Sequence, residues 1–211
     1  MWNEKWDHVY KRYLRSIKSL YDKFSGRFAT PSAPKFMSLD EFFDLIWQAG
    51  VVDETFGQRE IGIWFNLSMM TQKDEIDREK HLSMVLVEFI EGIGRVADRL
   101  SLPPYFENME GVSEEYAANP GDMTVSTRRA VYNKLPLHVK IETLIMYMIK
   151  AVFKKDYFDK VEAKNTKFHW AQKIAEKKTK FVAVDARYSQ KIKVPTDIDI
   201  KITDDNNEDD D

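Results

Sequence analysis

The sequence predicts an all-α protein. Two paired helix–loop–helix units come first, a small helical bundle or hairpin follows, and an extended tail closes the chain. Two observations carry that prediction. The pattern Met-x-x-x-Glu-Phe occurs twice, as Met37-Ser38-Leu39-Asp40-Glu41-Phe42 and as Met84-Val85-Leu86-Val87-Glu88-Phe89. Around both copies, apolar residues recur every three to four positions, the spacing that places them on one face of a helix.

Composition supports a buried core. Of 211 residues, 43% are hydrophobic, including thirteen Phe, nine Tyr and five Trp. Acidic and basic residues nearly cancel, at net −3, so there is no global charge signal for nucleic acid or membrane. The chain has no Cys, which excludes a disulfide framework, a thiol nucleophile and Cys-ligated zinc. The polar start Met1-Trp2-Asn3-Glu4 has no signal-peptide character. The longest apolar run, Leu144 to Ile149, is too short for a bilayer. The expectation is a soluble protein of the cytoplasm or cytoskeleton, with no membrane partner.

The first helix is expected over about Asn3 to Phe24, with Trp6, Val9, Tyr13, Ile17, Leu20 and Phe24 in register. Ser25-Gly26 ends it, because glycine accepts the left-handed cap conformation. Ser38 opens the second helix through a capping box with Glu41, and Gly50 ends it. A third helix is expected over Gln58 to Thr71, and a fourth over Val85 to Leu100, stopped by Pro103-Pro104. Residues 103–123, rich in Pro, Gly, Asn and Glu, read as a linker between a domain at 1–102 and a helical region at 124–180. Within that region, periodicity returns near Ser126 and breaks at Pro136. A strong helix then carries Ile141, Leu144, Ile145, Met148, Ile149 and Val152, and a basic helix spans about Thr166 to Lys180. Residues 181–211 read as an extended arm, with Ile198, Ile200 and Ile202 at strand spacing, and a solvated acidic tail.

The repeat has the layout of a paired EF-hand with damaged ion loops. Such a loop needs oxygen ligands at positions 1, 3, 5 and 12 and glycine at position 6. With each repeated Glu at the last position, the first loop offers Thr30, Ser32 and Pro34 as ligands and Lys35 in place of glycine. The second offers Asp77, Glu79 and His81, with Leu82 in place of glycine and Lys80 as an opposing charge. Neither fits calcium. Asp77, Glu79 and Glu88 form the weak alternative metal set, and Glu41 and Glu88 read first as helix caps. Met37 and Met84 fall where an apolar residue of each loop pairs the two in a short β-bridge.

The Ser25-Gly26 stop, the Pro-containing loop, Phe36-Met37-Ser38-Leu39-Asp40-Glu41-Phe42, Phe65-Asn66-Leu67-Ser68-Met69-Met70 and Val87-Glu88-Phe89-Ile90-Glu91 together resemble degenerate EF-hand modules of ciliary and flagellar axonemal proteins. The resemblance covers roughly residues 10–100. It implies a non-catalytic structural adaptor without cofactor, docking on tubulin or on axonemal complex subunits.

Phe42, Trp47, Trp64, Phe65, Met69 and Phe89 are the candidate lining of a groove that receives an amphipathic partner helix. A second candidate surface is the Lys-rich segment with interleaved aromatics, represented by Lys154, Lys155, Lys164, Lys167, Lys173, Lys177 and Lys178. Lysine in place of arginine favours loose charge attraction over bidentate phosphate reading. Two alternatives remain at this level: a calcium sensor using only the second loop, and a nucleic-acid-binding protein using the lysines. No catalytic constellation is expected. Gly92-Ile93-Gly94-Arg95-Val96-Ala97 fits a dinucleotide fingerprint but lacks the βαβ context. His8, His81, His138 and His169 are scattered, with no metal spacing.

Overall fold

The computed structural model describes residues 4–27, 35–69, 82–106 and 124–191. Among these residues the fold is all-α, with seven helices and no β-structure beyond two isolated bridges. Helix α1 (Glu4–Phe24) buries Val9, Tyr13, Ile17, Leu20 and Phe24 along one stripe. The stripe ends at Gly26, whose φ of +70° is open to glycine without strain. Helix α2 (Leu39–Gln48) begins at the expected capping box. The Glu41 amide donates to Ser38 Oγ at 3.3 Å, and the Ser38 amide donates back to Glu41 Oε2 at 2.8 Å.

A short turn leads into α3 (Gln58–Ser68). In that turn Asp53 Oδ1 accepts the amides of Thr55 and Phe56, at 2.7 and 2.9 Å. Helix α4 (Leu86–Arg99) follows the second loop. It contains both glycines of the dinucleotide-like run, in mid-helix and not in a phosphate-cradling turn. A Cβ on Gly92 would stand 3.4 Å from Phe42, and one on Gly94 only 2.8 Å from the Tyr10 hydroxyl. Both are places where a neighbouring helix comes close.

Four rings tie these helices together. Tyr21 of α1 lies 5.7 Å from Phe89 of α4, Phe89 lies 6.2 Å from Phe42 of α2, and Phe42 lies 5.8 Å from Phe65 of α3, between centroids. Each fully buried ring of this kind contributes about 1.5–3 kcal/mol through area removed from water.

Helices α5 (Val125–Tyr132) and α6 (Leu137–Val152) follow the undescribed residues 107–123. Helix α6 is buried nearly all round, including Val139, Ile141, Leu144, Ile145, Met146, Met148 and Ile149. A helix buried on nearly every side needs partners on every side. It has them in α1, α2 and α4. The core of the N-terminal helices is therefore completed by a helix from beyond the expected linker. The start of that linker is packed as well: Phe106 is buried, and the Tyr105 amide donates to Thr143 Oγ1 at 3.1 Å.

Helix α7 (Lys155–Lys191) begins earlier and ends later than its sequence suggests. Residues 181–191, expected as extended arm, are helical. The alternating isoleucines 198–202 and the acidic tail lie outside the described residues. The chain divides into two compact units, Met1–Lys173 and Ile174–Asp211. In the first, α7 buries Phe158, Asn165 and His169; in the second, it runs on to Lys191. No helix among the described residues is long and apolar enough to cross a membrane.

Candidate functional site

The two loops meet at the repeated methionines. Met37 and Met84 form an antiparallel bridge: the Met37 amide donates to the Met84 carbonyl at 3.0 Å, and the Met84 amide donates back at 2.9 Å. Both side chains are fully buried. The Tyr21 hydroxyl donates to the Met84 carbonyl at 2.9 Å and lies 3.3 Å from that of Lys35. Alignment of the methionines follows from helix starts on either side, since each Met precedes by one turn a Glu that folds back on its own helix.

Those glutamates, Glu41 and Glu88, are 2% and 3% exposed. Glu41 Oε1 accepts the Arg27 amide and Oε2 accepts the Ser38 amide. Glu88 Oε2 accepts the Val85 amide at 2.9 Å. These carboxylates are engaged with first-turn and loop amides, as helix caps are. Asp77 and Glu79 lie outside the described residues, and among the described residues no group of three or more His, Cys, Asp or Glu is placed to hold a metal ion.

The groove candidates separate into two sets. Phe42, Phe65 and Phe89 are the core rings already described, with exposure of 1% or less. They fill the space between helices and do not line an open groove. Trp47 is 61% exposed and stacks on Phe43 at 5.8 Å. Trp64 and Met69 are half-buried, and the Arg99 guanidinium sits 5.4 Å above the Trp64 ring. The large apolar residues left facing solvent on α2 are Leu39 and Trp47, with the half-buried Phe43 between them at helical spacing.

Lys154, Lys155, Lys164, Lys167 and Lys173 are exposed. Lys177 and Lys178 lie on α7, where the side chains are outside the description. Of the interleaved aromatics, Trp170 is exposed and Phe158 is buried, while Phe168 carries the Arg12 guanidinium 3.7 Å over its ring.

One cluster has no counterpart in the sequence reading. Glu142 of α6 is 1% exposed, in the midst of apolar neighbours. Its Oε1 accepts from Tyr13 Oη at 2.7 Å, Arg12 Nη1 at 2.8 Å and His169 Nε2 at 2.9 Å. An ionised carboxylate only accepts, so Nε2 carries a hydrogen. Arg12 Nη1 and His169 Nε2 then stand 3.5 Å apart as two donors on one oxygen. Burial pushes the Glu142 carboxyl up. The His169 hydrogen bond and charge, the Arg12 charge and the Tyr13 hydroxyl outweigh it and hold the group below its ordinary value. Burial, then the Glu142 charge, raises Tyr13, which stays a donor. The signal for this cluster was a lone acid inside a largely apolar helix, which demands a partner when that face is buried. The partners themselves are distant in the chain and give no spacing motif.

Beside this cluster is a cleft of ≈ 70 Å³. Its polar lining includes Lys5, His8 and Arg12 from α1, His138 and Glu142 from α6, and His169 from α7. Comparison with known protein families, curated proteins and solved structures finds no match to this chain.

Proposed function

We propose that this chain is a non-catalytic, calcium-independent adaptor built on an EF-hand-like pair, which docks on tubulin or on a protein partner in the ciliary axoneme. The observation that carries the reading is the Met37–Met84 bridge, with Glu41 and Glu88 turned onto backbone amides on either side of it. In an EF-hand pair such a bridge joins two loops whose last glutamates hold the ions. Here those glutamates cap helices, and the four-ring stack supplies the cohesion between helix pairs. The apolar stripe of Leu39, Phe43 and Trp47 and the lysines of α7 are the surfaces offered to a partner. The axonemal setting rests on the resemblance of residues 10–100 to degenerate modules of that kind.

Co-sedimentation with microtubules, with and without competitor RNA, tests the tubulin reading. Salt-sensitive pelleting that survives the competitor supports it. Pelleting abolished by RNA favours nucleic-acid binding through the lysines. A tagged chain absent from cilia, with no pelleting, overturns the axonemal assignment. Calorimetric titration with calcium separates adaptor from sensor: measurable heat and a raised melting temperature would establish the sensor.

A further inference from the structure

We propose that the outer face of α2, marked by Leu39, Phe43 and Trp47, binds an amphipathic helix of a protein partner whose apolar stripe is flanked by basic residues. The proposal rests on the adaptor reading of that stripe and names the chemistry of its occupant. Internal symmetry carries it. Met37 and Met84 exchange both backbone hydrogen bonds, the mark of a local two-fold axis between equivalent residues. The same sequence step relates Glu41 to Glu88 and Phe42 to Phe89, and the two rings meet edge to face at 6.2 Å. It also relates Ile46 to Ile93, both fully buried. Helices α2 and α4 are therefore counterparts, and Leu39, Phe43 and Trp47 correspond to Leu86, Ile90 and Gly94.

The α4 face is covered by a helix. Tyr10 of α1 donates to the Ile90 carbonyl at 3.1 Å, and its hydroxyl lies where a side chain on Gly94 would begin. On α2 the corresponding residues are open: Leu39 is 39% and Trp47 61% exposed. The difference follows from helix length. The Tyr21–Phe89 and Phe65–Phe42 ring contacts match across the axis, which aligns Tyr21 of α1 with Phe65 of α3. From that point α1 runs back past Tyr10 to Glu4, but α3 only to Gln58. The turns of α1 that cover α4 thus have no counterpart in α3 to cover α2. A partner helix takes that place. This outer face is separate from the space between helix pairs that Phe42, Phe65 and Phe89 fill.

Charge selects the flanks of the occupant. Asp40 and Asp44 border the stripe, and α2 itself has no basic residue. Arg27 reaches Asp44 only at 3.7 Å, with both side chains 44% exposed, a weak pair that a partner's cation can replace. Trp47 stands where α4 has glycine, so the occupant packs on the indole and does not reach the backbone as Tyr10 does. An exposed indole resting on a second ring, Phe43 at 5.8 Å, is the kind of rigid anchor on which helix docking concentrates.

The full chain is titrated into a fluorescent helical peptide of about 18 residues, with Leu along one face and Lys on both flanks, and anisotropy is followed. A peptide with the same Leu face and Glu flanks is run in parallel. Saturable binding of the Lys-flanked peptide, about tenfold or more tighter than the Glu-flanked one, is expected. Trp47→Gln should weaken it about tenfold or more, and Asp40→Lys combined with Asp44→Lys should reverse the flank preference. Val87→Gln, at an exposed apolar position on α4, should leave the affinity in place. Melting temperatures matched to the wild type show that the variants fold. Non-saturating titration, equal binding of the Glu-flanked peptide, or unchanged affinity in Trp47→Gln overturns the proposal. Sedimentation velocity addresses a second copy as occupant: self-association that Trp47→Gln abolishes overturns the foreign partner. Failure here is separable from failure of the adaptor reading. Microtubule pelleting that Trp47→Gln leaves intact, without peptide binding, removes this site and keeps the adaptor. Peptide binding without pelleting keeps the site and removes docking on tubulin.

Discussion

The Tyr21 hydroxyl donates a 2.9 Å hydrogen bond to the carbonyl of Met84, the same oxygen that accepts the Met37 amide. A side chain near the end of the first helix thus reaches the backbone that joins the two loops. Its ring meanwhile rests on Phe89, three residues past the start of the fourth helix. Cohesion of the loops is carried by backbone pairing, one phenol and packed rings.

Removing only that hydroxyl is therefore informative. Tyr21→Phe keeps the ring contact with Phe89 and deletes the bond to Met84. A buried neutral hydrogen bond of this sort contributes about 1 kcal/mol. Thermal unfolding should show a fall of about 2–4 °C for a chain of this size. No fall would mean that the bridge holds the carbonyl without help.

Glu88 discriminates between a cap and an ion ligand. Glu88→Ala leaves the Val85 amide without its acceptor in a buried setting, at a cost of about 1–3 kcal/mol. Glu88→Gln retains an oxygen and should recover most of that loss. Chemical denaturation of the two variants, with and without calcium, decides. A cap predicts a large gap between Ala and Gln and no calcium dependence in either background. An ion ligand predicts that both variants lose the same calcium-dependent stabilisation.

Much of the helical layout was legible because local chemistry marks it. Gly26 and Gly50 both adopt positive φ where a helix was expected to stop, and Ser38 caps where a helix was expected to begin. Helix α7 was harder to read. Its inward positions include Asn165 and His169 beside Phe158, so the apolar period that reveals a helix is broken by polar residues that are nonetheless buried. Past Phe181, β-branched and charged residues imitate an extended segment, although the backbone is helical to Lys191. The groove candidates illustrate a second limit. Periodicity identifies Phe42, Phe65 and Phe89 as inward but cannot say whether other helices close over them, and α6, from beyond the expected linker, was not counted as part of that core. The Glu142 cluster could not be assembled from sequence, since Arg12, Tyr13 and His169 converge only after α1, α6 and α7 pack.

Acid should weaken the fold through Glu142. Its carboxyl titrates below its ordinary value of 4.5 in the folded chain, so the ionised form favours folding. That stability is complete above the unfolded value and drains away as pH falls through the folded one. Glu142→Gln removes the charge permanently, leaving the Arg12 guanidinium without its counter-ion and His169 without a charged acceptor. The loss is expected on the order of 3 kcal/mol at neutral pH, as for a broken buried pair. Urea unfolding across pH 3 to 7 is the measurement. The wild type should lose stability steeply below about pH 4.5, with the variant flatter over the same window. Parallel curves would assign the acid sensitivity to other carboxylates.

The two glycines of α4 give different predictions for the same substitution on one helix. Replacing a mid-helix glycine by alanine is worth up to about 1 kcal/mol in helix propensity. At Gly92 the new methyl would meet Phe42 at ordinary contact distance, 3.4 Å, so Gly92→Ala should be neutral to stabilising. At Gly94 the methyl would come within 2.8 Å of the Tyr10 oxygen, which donates to the Ile90 carbonyl at 3.1 Å. Tyr10 must then move and give up that bond, a loss of about 1 kcal/mol that cancels the propensity gain. Gly94→Ala should accordingly be less stable than Gly92→Ala by roughly that amount. In a Tyr10→Phe background the obstructing oxygen is gone, and the alanine at 94 should show its full propensity gain. A coupling of about 1 kcal/mol between positions 10 and 94 in the double-mutant cycle is the expected signature. Zero coupling would mean that Tyr10 turns aside freely, and that the close approach of α1 to α4 does not depend on a missing side chain at position 94.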